Sequence, residues 1–104
     1  MPRPVVRRPR ARLDIAEIYE YFWERNPRVA ERWLDSLEET LNRVIAEHPF
    51  IGAPKSYGRK SLRGLRMHGV RRFRAFLIFY RVIEGTVVVI CVLRGSRDIP
   101  ALLV

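Results

Sequence analysis

The chemistry available to this chain is mostly that of arginine. Between Leu62 and Asp98 lie Arg63, Arg66, Arg71, Arg72, Arg74, Arg81, Arg94 and Arg97, set around two apolar runs, with Glu84 and Asp98 the only acids. Guanidinium groups hold phosphate and carboxylate oxygens through forked hydrogen bonds, so such a segment can grip an acidic macromolecule or stabilise a phosphoryl transition state. Cutting a phosphodiester also needs a proton acceptor and donor, and His68 is the residue nearby that titrates near neutrality. Standing alone in a strand, it reads equally as an ordinary strand histidine. Tyr80 sits inside an apolar run, where it is either a surface phenol or a core residue whose hydroxyl finds a backbone partner.

Other chemistries lack their parts. His48 precedes a helix-ending proline, Cys91 is the only cysteine and lies in the apolar run Val87 to Leu93, and no carboxylate cluster accompanies them. This pattern contains no metal-binding spacing, phosphate-binding glycine loop or nucleophile elbow. Neither a metal nor a cofactor is expected, and Cys91 is expected to be a buried thiol with no disulfide partner.

Charge is segregated along the chain. Residues 1 to 12 carry five arginines and no acid, residues 13 to 48 hold nine acids against four arginines, and residues 49 to 104 hold eleven bases against two acids. The net charge of +9 therefore conceals an acidic middle flanked by basic ends. A basic half-molecule favours an acidic partner.

The elements that must position these arginines follow from periodicity. At 104 residues, with 48% apolar and 11% aromatic residues, the chain suits one folded domain spanning 1 to 104. Without a signal-like leader or an apolar run of membrane-spanning length, a cytoplasmic protein is expected. Ile15, Ile18, Tyr19 and Phe22 recur at helical spacing, with Asp14, Glu17, Glu20 and Glu24 opposite. Asn26-Pro27 reads as an N-cap followed by a first helical residue, starting a second helix whose stripe is Ala30, Trp33, Leu34, Leu37, Leu41, Val44 and Ile45 and which ends before Pro49. Glu39 and Arg43 stand at i,i+4 spacing for an ion pair on that helix.

The period then changes to that of strands. Residues 74–82 and 86–93, rich in β-branched and aromatic side chains and separated by Ile83-Glu84-Gly85, predict a hairpin. Both runs are apolar on both faces, which suits strands covered on each side. Residues 62–70 predict a third strand, and residues 5–8, between Pro4 and Pro9, an edge strand. The expected fold is α+β: an N-terminal edge strand, an antiparallel helical hairpin, then a three-stranded antiparallel sheet.

Taken in order, Ala11-x-x-Asp14-Ile15-x-x-Ile18-x-x-Tyr21-Phe22, the helix stripe from Ala30, Pro49-x-x-Gly52, Leu65-Arg66, Phe79-Tyr80-Arg81 and Arg94-Gly95-x-Arg97-Asp98 make a pattern that resembles the RelE/ParE superfamily of toxins from type II toxin-antitoxin systems. The resemblance covers about Val5 to Leu103 and implies the same strand, helical hairpin and sheet. It also implies a cognate antitoxin, ParD-like, that wraps and neutralises the toxin. Within that superfamily, RelE-like members cut messenger RNA on the ribosome. Aligned with their pattern, this chain has Arg97 at a catalytic arginine position but Leu77 at another arginine position, Leu103 at the C-terminal tyrosine position, and Gly69 and Val70 in the region that carries lysines. ParE-like members, whose tail resembles Leu93-Arg94-Gly95-Ser96-Arg97-Asp98 and the apolar residues after it, poison DNA gyrase by binding, with no catalytic residues of their own.

The resemblance thus implies a gyrase inhibitor, with a ribosome-dependent nuclease and a non-toxic nucleic-acid-binding module as the alternatives. The residues expected to face the target are Arg63, Arg66, Tyr80, Arg81, Arg94 and Arg97. Leu13, Tyr19 and Trp23, the last off the centre of the first helix's stripe, are expected to meet the antitoxin. Arg71 and Arg72 are expected to form a solvated turn, and Arg97-Asp98 is also readable as a turn pair ending the last strand.

Overall fold

The computed structural model describes residues 1–95 and Leu103. A short strand β1 (Val5–Arg7) leads through Pro9 into helix α1 (Pro9–Arg25), and helix α2 (Pro27–Glu39) follows after one residue. Asn26 separates them as expected: its side-chain oxygen accepts the Arg28 N–H at 3.1 Å, and Pro27 begins the next helix. The apolar stripe continues past α2, but the helix widens over Thr40–Ile45, where the Ala46 N–H reaches back to the Leu41 carbonyl, a π-type i→i+5 bond. The Thr40 hydroxyl donates to the Ser36 carbonyl at 2.6 Å and accepts the Arg71 N–H at 3.0 Å. Periodicity alone predicted an unbroken α-helix here, because a hydrogen bond from a distant turn leaves no mark on hydrophobic spacing.

The sheet has five strands in the order β1-β5-β4-β3-β2. To the expected β3 (Arg66–Val70), β4 (Phe73–Ile83) and β5 (Thr86–Arg94) it adds a two-residue edge strand, β2 (Ala53–Pro54). β3, β4 and β5 run antiparallel, whereas β1 lies parallel to β5, with Val5 opposite Val87. The third strand begins at Arg66, because Lys60–Leu62 form a 3-10 turn and leave the strand conformation that was expected from Leu62 onward. Glu84 and Gly85 both adopt positive φ between the paired residues Ile83 and Thr86, the two-residue loop that suits a right-twisted hairpin.

The two sheet faces have different covers. On one, α1 and α2 bury Ile15, Trp33 and Leu37 against Phe76, Ile78, Tyr80, Val87, Val89 and Val92. Trp33 lies 5.9 Å from Phe76 and 6.2 Å from Phe22, ring centre to ring centre, and is fully buried. On the other face Phe79 and Cys91 are covered by Leu62 and Leu65 from the connection before β3, with Met67, Leu77, Ile90, Leu93 and Leu103 packed around them. A bulge near Phe79/Tyr80 leaves Ile90 outside the register, so Ile90 and Cys91 both turn to this second face. Cys91 is the buried thiol expected, its pKa pushed by burial to about 11. No helix among the described residues is long and apolar enough to cross a membrane.

One polar device closes the sheet's edge. β1 stops at Arg7, so β5 has no strand beside it near Val92, and the Asp14 carboxylate from α1 accepts the Val92 N–H at 3.0 Å. Burial raises the Asp14 pKa, opposed by that hydrogen bond and by the charge of Arg10.

Candidate functional site

The expected target-facing residues do not share one surface. Side chains alternate across a strand, and the pairing of Arg66 with Tyr80 puts both on the helix-covered side of the sheet, whereas Arg81 lies on the side of Phe79. Arg66 reaches past the sheet edge to the carbonyls of Gly52 at 2.7 Å and Phe50 at 3.0 Å. Its guanidinium also stands 5.0 Å from the exposed Phe50 ring. Arg81 donates to the Ser61 carbonyl at 2.7 Å, with a weaker approach to that of Arg63. Both arginines therefore spend donors on their own backbone. Arg63 is exposed in the connection that Arg81 holds. Arg94 faces the helix side, 5.9 Å from the Phe76 ring, where it borders a depression of about 220 Å³ with Glu17, Ile18 and Tyr21. Arg97 lies outside the described residues, as does its pairing with Asp98.

Tyr80 corrects the expectation that it faces a target. The residue is fully buried, its hydroxyl donating to the Pro49 carbonyl at 2.7 Å and accepting the Gly52 N–H at 2.9 Å. Burial raises its pKa. This geometry explains the Pro49-x-x-Gly52 pattern, since a Cβ on Gly52 would stand 2.5 Å from the Tyr80 oxygen. The sequence signal was present in the pattern, but its purpose depends on two segments that meet only in the fold.

Arg71 and Arg72 form the exposed turn that was expected, and there Arg71 also pairs with Glu39 at 2.6 Å and Arg72 with the same carboxylate at 3.7 Å, so the β3–β4 turn docks on the end of α2. Glu39 thus pairs across the fold, and a Glu39–Arg43 bridge is not found among the described residues. A pair that periodicity did not suggest, Arg7 with Glu38, joins β1 to α2 at 2.5 Å.

On α1, Tyr19 and Trp23 stack with centroids 5.9 Å apart and planes 27° from parallel. Trp23 remains 48% exposed and Leu13 59% exposed. The Tyr19 hydroxyl donates to Glu31 on α2, which raises its pKa. The stacked pair follows the α2 flank of α1, and shallow depressions beside it are lined by Glu20 on one side and by Arg7, Arg12, Ala16 and Leu34 on the other. Leu13 projects from the outer surface of the same helix and lines neither depression. The structure unites two of these three residues. Tyr21, 44% exposed with Arg25 packed 3.6 Å over its ring, lies on the opposite flank of α1, beside the depression bordered by Phe76 and Arg94.

His68 lies on the helix-covered side, opposite Ile78, and its Nδ1 is 2.7 Å from the Gly69 carbonyl. A carbonyl only accepts, so Nδ1 carries the proton. Leu77 and Leu103, both partly buried, pack against the second core on the other side of the sheet. Among the described residues, no cluster of three or more His, Cys, Asp or Glu could hold a metal ion.

With this geometry established, residues 5–99 match the family model for the ParE toxin of the type II toxin-antitoxin system parDE. The chain belongs to the ParE toxin family. Two solved structures share the fold of this ParE-family chain. The chromosomal ParDE toxin-antitoxin system from P. aeruginosa is 17% identical, with a TM-score of 0.67 over 90% of this chain and 97% of that one. The toxin-antitoxin complex RelBE2 from Mycobacterium tuberculosis is 22% identical, with a TM-score of 0.59 over 88% of this chain and 96% of that one. No curated protein matches. At these identities the two structures speak for the fold, and the family model supplies the class: a toxin of ParE/RelE type.

Proposed function

We propose that this ParE-family toxin arrests growth in the cytoplasm by binding DNA gyrase, and that a ParD-like antitoxin encoded beside it neutralises it. The observation that carries this reading is the packing of Leu77 and Leu103. Both stand at positions where the RelE-like pattern has an arginine and a tyrosine, and both are built into the apolar cluster around Phe79 and Cys91. Apolar side chains packed against a core donate no hydrogen bond to a phosphate and move no proton. His68 lies on the opposite side of the sheet and cannot join them. A binding inhibitor needs only surface, and exposed cations remain for it, Arg63 in the connection before β3 and Arg94 at the end of β5 among them. Arg66 and Arg81, on opposite sides of the sheet, and Arg97 are proposed target contacts as well.

The antitoxin is proposed to cover Tyr19, Trp23 and Leu13, whose apolar surface is otherwise left to water. An acidic antitoxin segment would be drawn to this basic chain, which speeds association more than it tightens it. Exchanging Trp23→Ala should weaken the complex by about 2 kcal/mol, as expected of a large exposed aromatic anchor, read by titration calorimetry.

The deciding experiment compares two assays on one preparation. Inhibition of gyrase supercoiling, relieved by the purified antitoxin, supports the proposal. Intact supercoiling together with cuts inside reading frames, seen by primer extension on messenger RNA after induction, would replace it with the RelE-like activity.

A further inference from the structure

We infer that the connection from Lys55 to Arg63 is a binding site for the phosphodiester backbone of nucleic acid, sharing only Arg63 with the proposed gyrase-facing residues. The inference starts from where the protein uses its cations. Arg7, Arg10, Arg71 and Arg72 face carboxylates of the chain itself. Arg25, Arg66 and Arg81 donate to backbone carbonyls. Lys55, Arg59, Lys60 and Arg63 do neither among the described residues, although they crowd into nine positions that contain no acid. Arg59, Lys60 and Arg63 are exposed.

This cationic loop is held in one shape. Leu62 and Leu65 anchor it in the second core, 7% and 1% exposed. The Lys55 N–H donates to the Leu65 carbonyl at 2.8 Å, closing its base, and Arg81 clamps it from the sheet through the Ser61 carbonyl. Tyr57, Gly58 and Gly64 take positive φ, which folds the chain tightly enough for the charges to converge. Together Ser56, Gly58, Arg59, Lys60 and Arg63 line an open depression of about 240 Å³. It is smaller than the roughly 300–1,000 Å³ of enclosed small-molecule pockets, so it suits a polyanion passing over it better than a captured metabolite. Guanidinium forks match phosphate oxygens, and the serine hydroxyl adds a donor. Because the loop is already ordered, little conformational freedom is lost on binding.

The inference does not depend on gyrase being the target, and its test uses the purified full chain and DNA alone. Binding of a fluorescein-labelled duplex of arbitrary sequence is followed by anisotropy across a salt series. Removing three phosphate contacts should flatten the slope of log K against log salt by about 2.7 and weaken binding at least about tenfold near 100 mM salt. The triple variant Arg59→Gln, Lys60→Gln, Arg63→Gln should show both changes. A variant with the same loss of charge elsewhere, Arg8→Gln, Arg12→Gln, Arg74→Gln, should change the slope by less than one unit. Equal losses in the two variants, or no loss in the first, would overturn the assignment. So would displacement of the duplex by a poly-glutamate peptide as readily as by unlabelled duplex of equal charge, which would make the loop an acidic-peptide site. Inorganic phosphate at matched ionic strength should not displace the duplex; if it does, the site takes free phosphate and the polymer assignment fails. In the wild-type chain, where no variant has to fold, DNA should shift the backbone amide resonances of residues 55–64 and leave those of Tyr19 and Trp23 in place. The reverse pattern would refute the site.

Discussion

The two faces of one sheet are stabilised by different means. The helix-covered face buries large side chains from two helices against four strands, with Trp33, Phe22 and Phe76 in mutual contact. The other face buries Phe79 and Cys91 under Leu62, Leu65 and a rim of half-covered residues. Its cover is a loop fastened by backbone hydrogen bonds and Arg81, not a second layer of helices. Stability is therefore concentrated on one side, leaving the thinner side to carry unneutralised charge at its surface.

The largest expected effect tests that contrast directly. Trp33→Ala should cost about 3–5 kcal/mol in urea unfolding, whereas Leu62→Ala should cost nearer about 2 kcal/mol, because a loop collapses into a cavity more easily than packed helices do. A Leu62 cost equal to that of Trp33 would mean that both faces are equally load-sharing and the comparison is wrong.

A middle-sized effect sharpens it at the sheet edge. Tyr80→Phe leaves the Pro49 carbonyl and Gly52 N–H without their partner and should cost about 1–3 kcal/mol. Gly52→Ala, which would crowd the same oxygen, should cost a similar amount alone and distinctly less in the Tyr80→Phe background. Strict additivity in the double-mutant cycle would show that the two positions do not meet as described.

The smallest effect concerns the edge of β5. Burial raises Asp14 above the ordinary aspartate value of 3.8, so the folded chain holds this proton to a higher pH than the unfolded chain. The resulting stability is fully present below 3.8 and is lost as pH rises through the folded value. Asp14→Asn keeps an acceptor for Val92 but cannot titrate. Its urea midpoint should gain on the wild type as pH goes from about 3.5 to about 6, and a difference that stays constant would deny the shift.

Much of the fold was legible because local rules and packing agreed. The apolar period of 3.6 marked both helices, Asn26-Pro27 marked the break between them, and Ile83-Glu84-Gly85 marked the hairpin. The candidate site was less legible. Arginine looks the same in a sequence whether its guanidinium meets water, a carboxylate or a carbonyl, and here Arg63, Arg71 and Arg66 do one each.

The sequence by itself determined where the two helices and the four longer strands lie, and that the second half would be basic, since these follow from side-chain periodicity and composition. The tertiary structure decided what each charge and hydroxyl does: that Tyr80 is tied to Pro49 and Gly52, that Glu39 holds the β3–β4 turn, and that Lys55 to Arg63 stay uncommitted. The physical reason is range. Periodicity is a property of neighbours a few residues apart, whereas the partners of these groups are brought within hydrogen-bonding distance only by the folded chain.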